Sequence, residues 1–513
     1  MRDALSTELD SLFARGQQEC AAFPELISLT GALAHCQRTI LAPMRVAFVG
    51  KTNCGKSTML NAFLGEELAP TGNVELTFNV CWFRYGERQA LRLHTVDGTI
   101  EPEAFESLPH LSTRCKAEPA LLERIRYIEI FCPNPLLKTF DLIDTPGLHS
   151  FYQKDSRNTQ ALLTEPLTRP HALLFMFSGS LQIPDVEELK RFHQVCGTVM
   201  SGLTAIGALT KVDEWPRAFE DGRRSLDQLE KQHPHIRRLF YVLEPVVGPM
   251  GYGAQTLTTA DLEGLEALVR LEPRHLARLT RDVNSFCTRE YDTADGTPPS
   301  HERSRLYDRL GRYGIHAAVD LLRRGLSRES LGARLLEQSR VGRLRDIVTS
   351  HFGNRALLIK ARAGLSTLRH QAFIASQRHR GPPGAAARRV AAHIDVIVAN
   401  ELRFREFSVL ERFYSNHEAW ATDSANELLA ITGENGLDWR SRLGVSPDAP
   451  LDELLKLAED KERRWRQRAT ETFADTAARA SARVLADSYG EIYSKIKEAI
   501  RDASQATASL SYE

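Results

Sequence analysis

The chain has 513 residues, 42% of them hydrophobic, with 66 basic and 66 acidic side chains. That length allows about three domain-sized units, and the composition excludes wholesale disorder. Zero net charge argues against a globally basic nucleic-acid binder. The longest apolar runs, such as 172–177, are too short to span a bilayer, and no signal-peptide pattern opens the chain. Eight scattered cysteines lack metal-ligand spacing, so free buried thiols in a reducing cytosol are expected.

Residues 1–40 read as helical, with Leu5, Leu9, Leu12 and Phe13 near one face. Residues 41–290 alternate β-rich runs with helical stretches. The expected strands are 45–50, 78–85, 126–131, 139–144, 172–177, 204–209 and 240–247. Such alternation predicts a mainly parallel sheet with helices on both faces. The stretch 292–302 has linker composition, and from 291 to 513 no further strand is expected. There Leu485, Tyr489, Ile492, Ile496 and Ile500 form a helical stripe, and 380–386 and 433–450 interrupt the helices. The predicted architecture is an α/β nucleotide-binding domain over 41–290 and an elongated all-α region over 291–513. Residues 1–40 are expected to pack with that helical region.

Four motifs carry chemistry. The first runs from Gly50 to Ser57 (GKTNCGKS), after an apolar strand and before an apparent helix. Glycines let successive N–H groups converge on phosphate, and the helix N-terminus adds positive potential. Gly50, Asn53, Cys54, Gly55 and Thr58 then belong to the phosphate cradle. Lys56 reaches the β- and γ-phosphates, and Ser57 ligates Mg²⁺. The alternative is an ordinary strand–helix turn.

The second motif, Asp144-Thr-Pro-Gly147, ends another apolar strand. Asp144 can hold the Mg²⁺ hydration shell, and Gly147 N–H can approach the γ-phosphate because no Cβ intrudes. The third, Thr210-Lys211-Val212-Asp213, again follows an apolar strand. The Asp213 carboxylate can accept from guanine N1–H and N2–H₂, donors that adenine lacks. Lys211 can lie along the base. The fourth is Thr77, whose hydroxyl can complete the Mg²⁺ shell and sense the γ-phosphate; a strand-start threonine is the plainer reading. Leu148 occupies the position after Gly147, where many switch GTPases orient water with Gln, so either catalysis is slow or backbone groups, an ion or a second subunit position the water.

The stretch 49–86 resembles the dynamin superfamily, and most of all the actinobacterial dynamin-like GTPases that include the isoniazid-inducible proteins. Segments 205–213, 244–251, 313–325 and 339–369 extend the resemblance. It implies a large G domain on a helical neck and trunk, hydrolysis of GTP to GDP with Mg²⁺, and G-domain pairing coupled to membrane remodelling or bridging. A slow GTP-dependent switch or scaffold acting through a protein partner is the alternative. The resemblance gives catalytic roles to Lys56, Ser57, Thr77 and Gly147, and metal contacts to Ser57, Thr77 and Asp144. Where many dynamins carry a Ser that helps hold a catalytic monovalent cation, this chain departs from the family with Asn53, whose amide oxygen is the one side-chain atom there able to ligate a cation. Self-association is implied. A related dynamin-like GTPase and an anionic membrane are the further partners considered, with a cytoplasmic location or one peripheral on the inner face of the cell membrane.

Residues 351–390 carry eight basic side chains (Arg355, Lys360, Arg362, Arg369, Arg378, Arg380, Arg388 and Arg389) and no acid. One reading is a surface that meets anionic lipid. The other is a helical face neutralised by acids such as Glu401, Glu406 and Glu411. Nucleic acid is disfavoured, because aromatics do not interleave with the basic residues. Trp439, in the second interruption, is either an interfacial anchor or packed on its own helices.

Overall fold

A computed structural model describes residues 4–69, 79–108, 111, 124–146, 168–179, 187, 202–215, 217–233, 236–291, 296–415, 420–471 and 475–510. Two compact units make up the chain. One spans Met44–Val348; the other joins Met1–Pro43 to Thr349–Glu513.

The first unit is built on nine described strands: β1 (Met44–Gly50), β2 (Cys81–Tyr85), β3 (Ala90–Thr95), β4 (Ile100–Glu103), β5 (Ile125–Cys132), β6 (Phe140–Asp144), β7 (Ala172–Ser178), β8 (Ala205–Thr210) and β9 (Leu243–Pro245). They form one sheet in the order β4-β3-β5-β2-β6-β1-β7-β8-β9. From β6 through β9 every neighbouring pair is parallel. Each residue of β1 is buried, which is why its sequence is apolar without alternation. The register sets Phe48 opposite Asp144, so the C-terminal ends of β1 and β6 lie together.

The other edge carries an antiparallel hairpin, β3–β4, that the sequence reading omitted. In β3, Leu91, Leu93 and Thr95 are buried while Arg92 is exposed and His94 half-buried, the period-2 pattern of a one-sided strand. Its turn is closed by Asp97, which accepts from Thr99 N–H at 3.1 Å, and by Gly98 at φ 89°. The run 240–247 contributes only Leu243–Pro245 to the sheet. Helices Ile236–Leu239 and Gly248–Thr256 flank it.

The division of the chain also differs from the expected boundary at 290/291. Helices Ser300–Arg323 and Arg328–Ser339 belong to the sheet-containing unit. Their Leu306, Leu310, Leu331 and Leu335 share one core with Ala47, Val49 and Phe175 of the sheet. Amphipathic helices look alike whichever core they face, so composition misplaced this boundary by nearly sixty residues.

In the other unit, helix Ala4–Ala21 packs on helices Ile27–Leu41 and Pro382–Asn400, and Ile27–Leu41 packs on Ala356–Arg378. Leu5, Leu9, Leu12 and Phe13 are buried, as are Leu485, Tyr489, Ile492 and Ile496 of the C-terminal helix. Arg355 is wholly buried. Its guanidinium is held by the Glu434 carboxylate, by His351 Nδ1 at 3.0 Å and by Thr432 Oγ1 at 3.3 Å. Glu434→Ala leaves that charge uncompensated and is expected to cost about 3–5 kcal/mol. Denaturant titration of the helical transition checks this; an unchanged midpoint refutes it. Helix Trp439–Leu443 occupies the second interruption, with Trp439 half-buried and Leu437 exposed.

Candidate nucleotide site

The three motifs resolved here end strands β1, β6 and β8, which lie on one edge of the sheet because their connections are parallel. This is the edge at which open α/β sheets bind ligands. After β1 the chain turns tightly. Asn53 (φ 61°) and Gly55 (φ 91°) both adopt the left-handed region, and helix Lys56–Leu64 starts immediately after. Alternating left-handed residues aim backbone N–H groups inward, which is how an anion cradle forms without side chains. Gly50 is required by close approach. A Cβ there would collide with the Met176 carbonyl oxygen and lie 2.8 Å from Cys54 Sγ. Gly50→Ala is therefore expected to unseat the loop from β7, lowering both nucleotide affinity and the unfolding temperature; retention of both would refute the role.

Lys56 is buried, and its Nζ donates to the carbonyls of Gly50 (3.3 Å) and Lys51 (3.0 Å). Its cation is thus held over the loop by two of the loop's own carbonyls. Ser57 Oγ donates to Asp144 Oδ2 at 2.8 Å, joining the first motif to the second. Asp144 is 1% exposed. A hydroxyl and a buried carboxylate in direct contact form a hard, all-oxygen donor pair. That set fits Mg²⁺, which takes few protein ligands and completes its octahedron with water and phosphate.

Thr210, assigned from sequence to base reading, occupies a different place. It is buried, and its hydroxyl lies 2.7 Å from Cys54 O and 3.1 Å from Phe177 O. It ties the phosphate loop to β7 and β8. Thr145 does the same between β6 and β1, donating to Phe48 O at 2.7 Å. Thr210→Val leaves the Cys54 carbonyl without that donor and is expected to weaken GTP binding about fivefold to tenfold, the value of one net hydrogen bond; calorimetric titration reads it.

Lys211 holds φ 57°, with Nζ 3.7 Å from Glu214 and its side chain 42% exposed. Asp213 is half-buried, and burial pushes its carboxyl above the usual aspartate value. A feature missed in the sequence lies against it. Helix Ser300–Arg323 breaks at Gly311 (φ 65°, ψ 172°), where a Cβ would sit 3.7 Å from Asp213 Oδ2. The only sequence signal was a glycine inside a helical pattern. Asn53 is exposed, Cys54 buried, and Thr58 half-buried at the start of helix Lys56–Leu64. Thr77, Gly147 and Leu148 lie outside the described residues. The six described free cysteines include five buried ones, and none is in a disulfide.

The Dynamin family model matches residues 46–200, which contain the first two motifs, most of β1 and all of β6. The isoniazid-induced protein IniC of Mycobacterium tuberculosis is 29% identical over 442 residues, covering 84% of this chain and 86% of that protein. The chain is thus similar to the dynamin family. Proteins of this family are GTPases that bind guanine nucleotide. Dynamin-like protein 2 of Campylobacter jejuni is 33% identical over 107 residues, 21% of this chain and 17% of the relative. A solved oligomerised bacterial dynamin pair, described as sensing and tethering membranes, aligns over 94% of this chain and 89% of its own at 13% identity and TM-score 0.34. Among the described residues, no helix is long and apolar enough to cross a membrane.

The basic run of 351–390 is mostly engaged within its own unit. Arg355 and Lys360 are buried, the latter bonded to Ala42 O. Arg362 lies 3.5 Å from Glu411; Arg369 pairs with Asp395, and Arg389 with Glu19. Arg378, Arg380 and Arg388 remain exposed around the 379–381 turn, one helical turn beyond exposed Phe373 and Ile374.

Proposed function

We propose that this protein acts as a dynamin-like GTPase, which hydrolyses GTP to GDP and phosphate and couples nucleotide-dependent pairing of its G domains to remodelling or bridging of membranes. The observation that carries the reading is the 2.8 Å contact between Ser57 and Asp144, beside a lysine held over the phosphate loop. Residues 87 positions apart meet as a hydroxyl–carboxylate pair, a donor set that suits Mg²⁺. In this reading Gly50, Asn53, Cys54, Gly55 and Thr58 surround the phosphates, and Lys56 neutralises the β- and γ-phosphates. Ser57, Thr77 and Asp144 hold Mg²⁺, which supplies charge neutralisation at the phosphates. Gly147 meets the γ-phosphate, while Lys211 and Asp213 read guanine. Thr77→Ala is expected to spare GDP binding and remove hydrolysis; comparison of GDP affinity with single-turnover rate separates the two.

The exposed arginines of the 379–381 turn, next to Phe373 and Ile374, support an anionic lipid surface as the partner. Each basic residue near such a surface contributes about 1 kcal/mol. Replacing Arg378, Arg380 and Arg388 together by Glu is therefore expected to weaken binding to anionic vesicles at least about 100-fold at low salt, measured by co-sedimentation. The engagement of the other five basic residues favours the second reading, a slow GTP-dependent switch working through a protein partner. One experiment separates them: GTP turnover against protein concentration, with and without anionic vesicles, at low and high salt. Specific activity that rises with concentration and again with vesicles supports the membrane-acting dynamin. Flat, slow turnover indifferent to lipid overturns it.

A further inference from the structure

A cleft of about 860 Å³ opens in the helical unit among helices Leu402–Ser415, Thr422–Ile431, Leu451–Arg468 and Thr476–Leu510. Its volume is that of a small-molecule site, and no residue of the nucleotide motifs lines it. Two indoles define its apolar part. Trp465 is buried, and Trp420 lies 6.4 Å from it, tilted by 44°. Three arginines line the polar part, of which Arg362 lies 3.5 Å from Glu411; the other two are Arg412 and Arg468. Arg412 donates to Ser481 Oγ at 3.3 Å, and Arg468 donates to Ser424 Oγ at 2.7 Å. Neither has a carboxylate within ion-pair distance among the described residues, so hydroxyls orient both guanidinium groups without neutralising them. Arg468 also stacks 4.7 Å over the Trp465 ring, which fixes its plane.

The same cleft is lined by the carboxylates of Glu411, Glu471 and Asp475. A simple anion entering between the arginines would meet those acids. A simple cation would meet the arginines. We propose that the cleft binds a zwitterion in which a phosphate is joined to an ammonium group, either as a free small molecule or as a phospholipid headgroup. The phosphate takes the guanidinium forks of Arg412 and Arg468, whose planar donors match its oxygens. The ammonium takes the Trp420 indole, where the ring quadrupole attracts cations, together with Glu471. This site is separate from the nucleotide edge and from the arginines of the 379–381 turn.

Calorimetric titration of the full chain with phosphocholine tests the assignment. Inorganic phosphate and choline serve as the half-ligands, and phosphatidylcholine vesicles as the membrane-borne form. Saturable phosphocholine binding at least about tenfold tighter than either half-ligand is expected. Because Arg412 is exposed, Arg412→Ala should keep the unfolding midpoint and GTP turnover while lowering phosphocholine affinity about tenfold or more. Arg412→Lys should fall between the two, since it keeps charge and loses the fork. Capture by the vesicles, lost in Arg412→Ala, assigns the site to a lipid headgroup; binding of the free molecule alone assigns it to a soluble zwitterion. The proposal is overturned if phosphocholine does not bind, if phosphate alone binds as tightly, or if Arg412→Ala binds unchanged.

Discussion

Lys56→Ala is expected to lower GTP turnover by about 100- to 1,000-fold, the usual consequence of removing one preorganised charge from a transition state. The geometry makes the lysine's role separable from the fold. Its Nζ is held by two carbonyls of the loop, so the aliphatic stem lies along a segment already shaped by Asn53, Gly55 and the approach of Gly50 to β7. The alanine variant keeps that backbone, and helix Lys56–Leu64 gains a good helix former. What disappears is the cation that offsets charge spreading over the leaving and transferring phosphates. Turnover should fall while the unfolding temperature stays within a few degrees. Turnover within threefold of the parent protein would sink the assignment of this loop as the catalytic cradle.

The second large effect concerns the base. Asp213→Asn is expected to cut the preference for GTP over ATP by at least about 100-fold. Two hydrogen bonds to a charged acceptor contribute about 1.5–3 kcal/mol each, and every 1.4 kcal/mol is a factor of ten. An asparagine keeps one acceptor and presents an N–H₂ where guanine also presents N–H₂. Xanthine carries a carbonyl at that position, so the variant should bind XTP better than GTP, an outcome that misfolding cannot mimic. Unchanged GTP-over-ATP selectivity would disprove the base-reading role. The pH dependence follows from the same burial. The free carboxyl is raised above the ordinary aspartate value, and guanine needs it ionised. On acidification, GTP affinity should therefore start to fall above the usual aspartate range, and the Asn variant should lose that acid limb.

The parts of this molecule that were legible from sequence share one property: local order decides them. β1, β6, β7 and β8 are apolar runs because they are buried on both faces, and the motifs sit directly after three of them. The β3–β4 hairpin was missed because a strand that alternates buried Leu91 and Leu93 with polar Arg92 and His94, followed by a Pro102-containing partner, lacks the apolar run. Thr210 reads as part of a base motif, yet its hydroxyl binds the Cys54 carbonyl 156 positions away. The basic run shows the same limit. Counting charges cannot reveal that Arg389 meets Glu19 across 370 residues, or that Arg355 is sealed against Glu434. Gly311 shows what a helix pattern hides, for its break is defined by what it faces, Asp213, rather than by its neighbours in the chain.

The helical unit is assembled from two separated stretches, with residues 44–348 between them. This has a consequence for the protein's birth. Helix Ala4–Ala21 and helix Ile27–Leu41 leave the ribosome well before the helices that cover them, which start at residues 356 and 382. At about 5–20 residues per second, that interval lasts on the order of 15–60 s. Through it the face carrying Leu5, Leu9, Leu12 and Phe13 has only the other early helix to lean on, a two-helix hairpin too small to bury its apolar surface. The intervening unit has time to fold alone before the helical one can close. Aggregation during synthesis should therefore be governed by the first forty residues, and polar substitutions on that early face should trade a cleaner nascent chain for a weaker finished bundle.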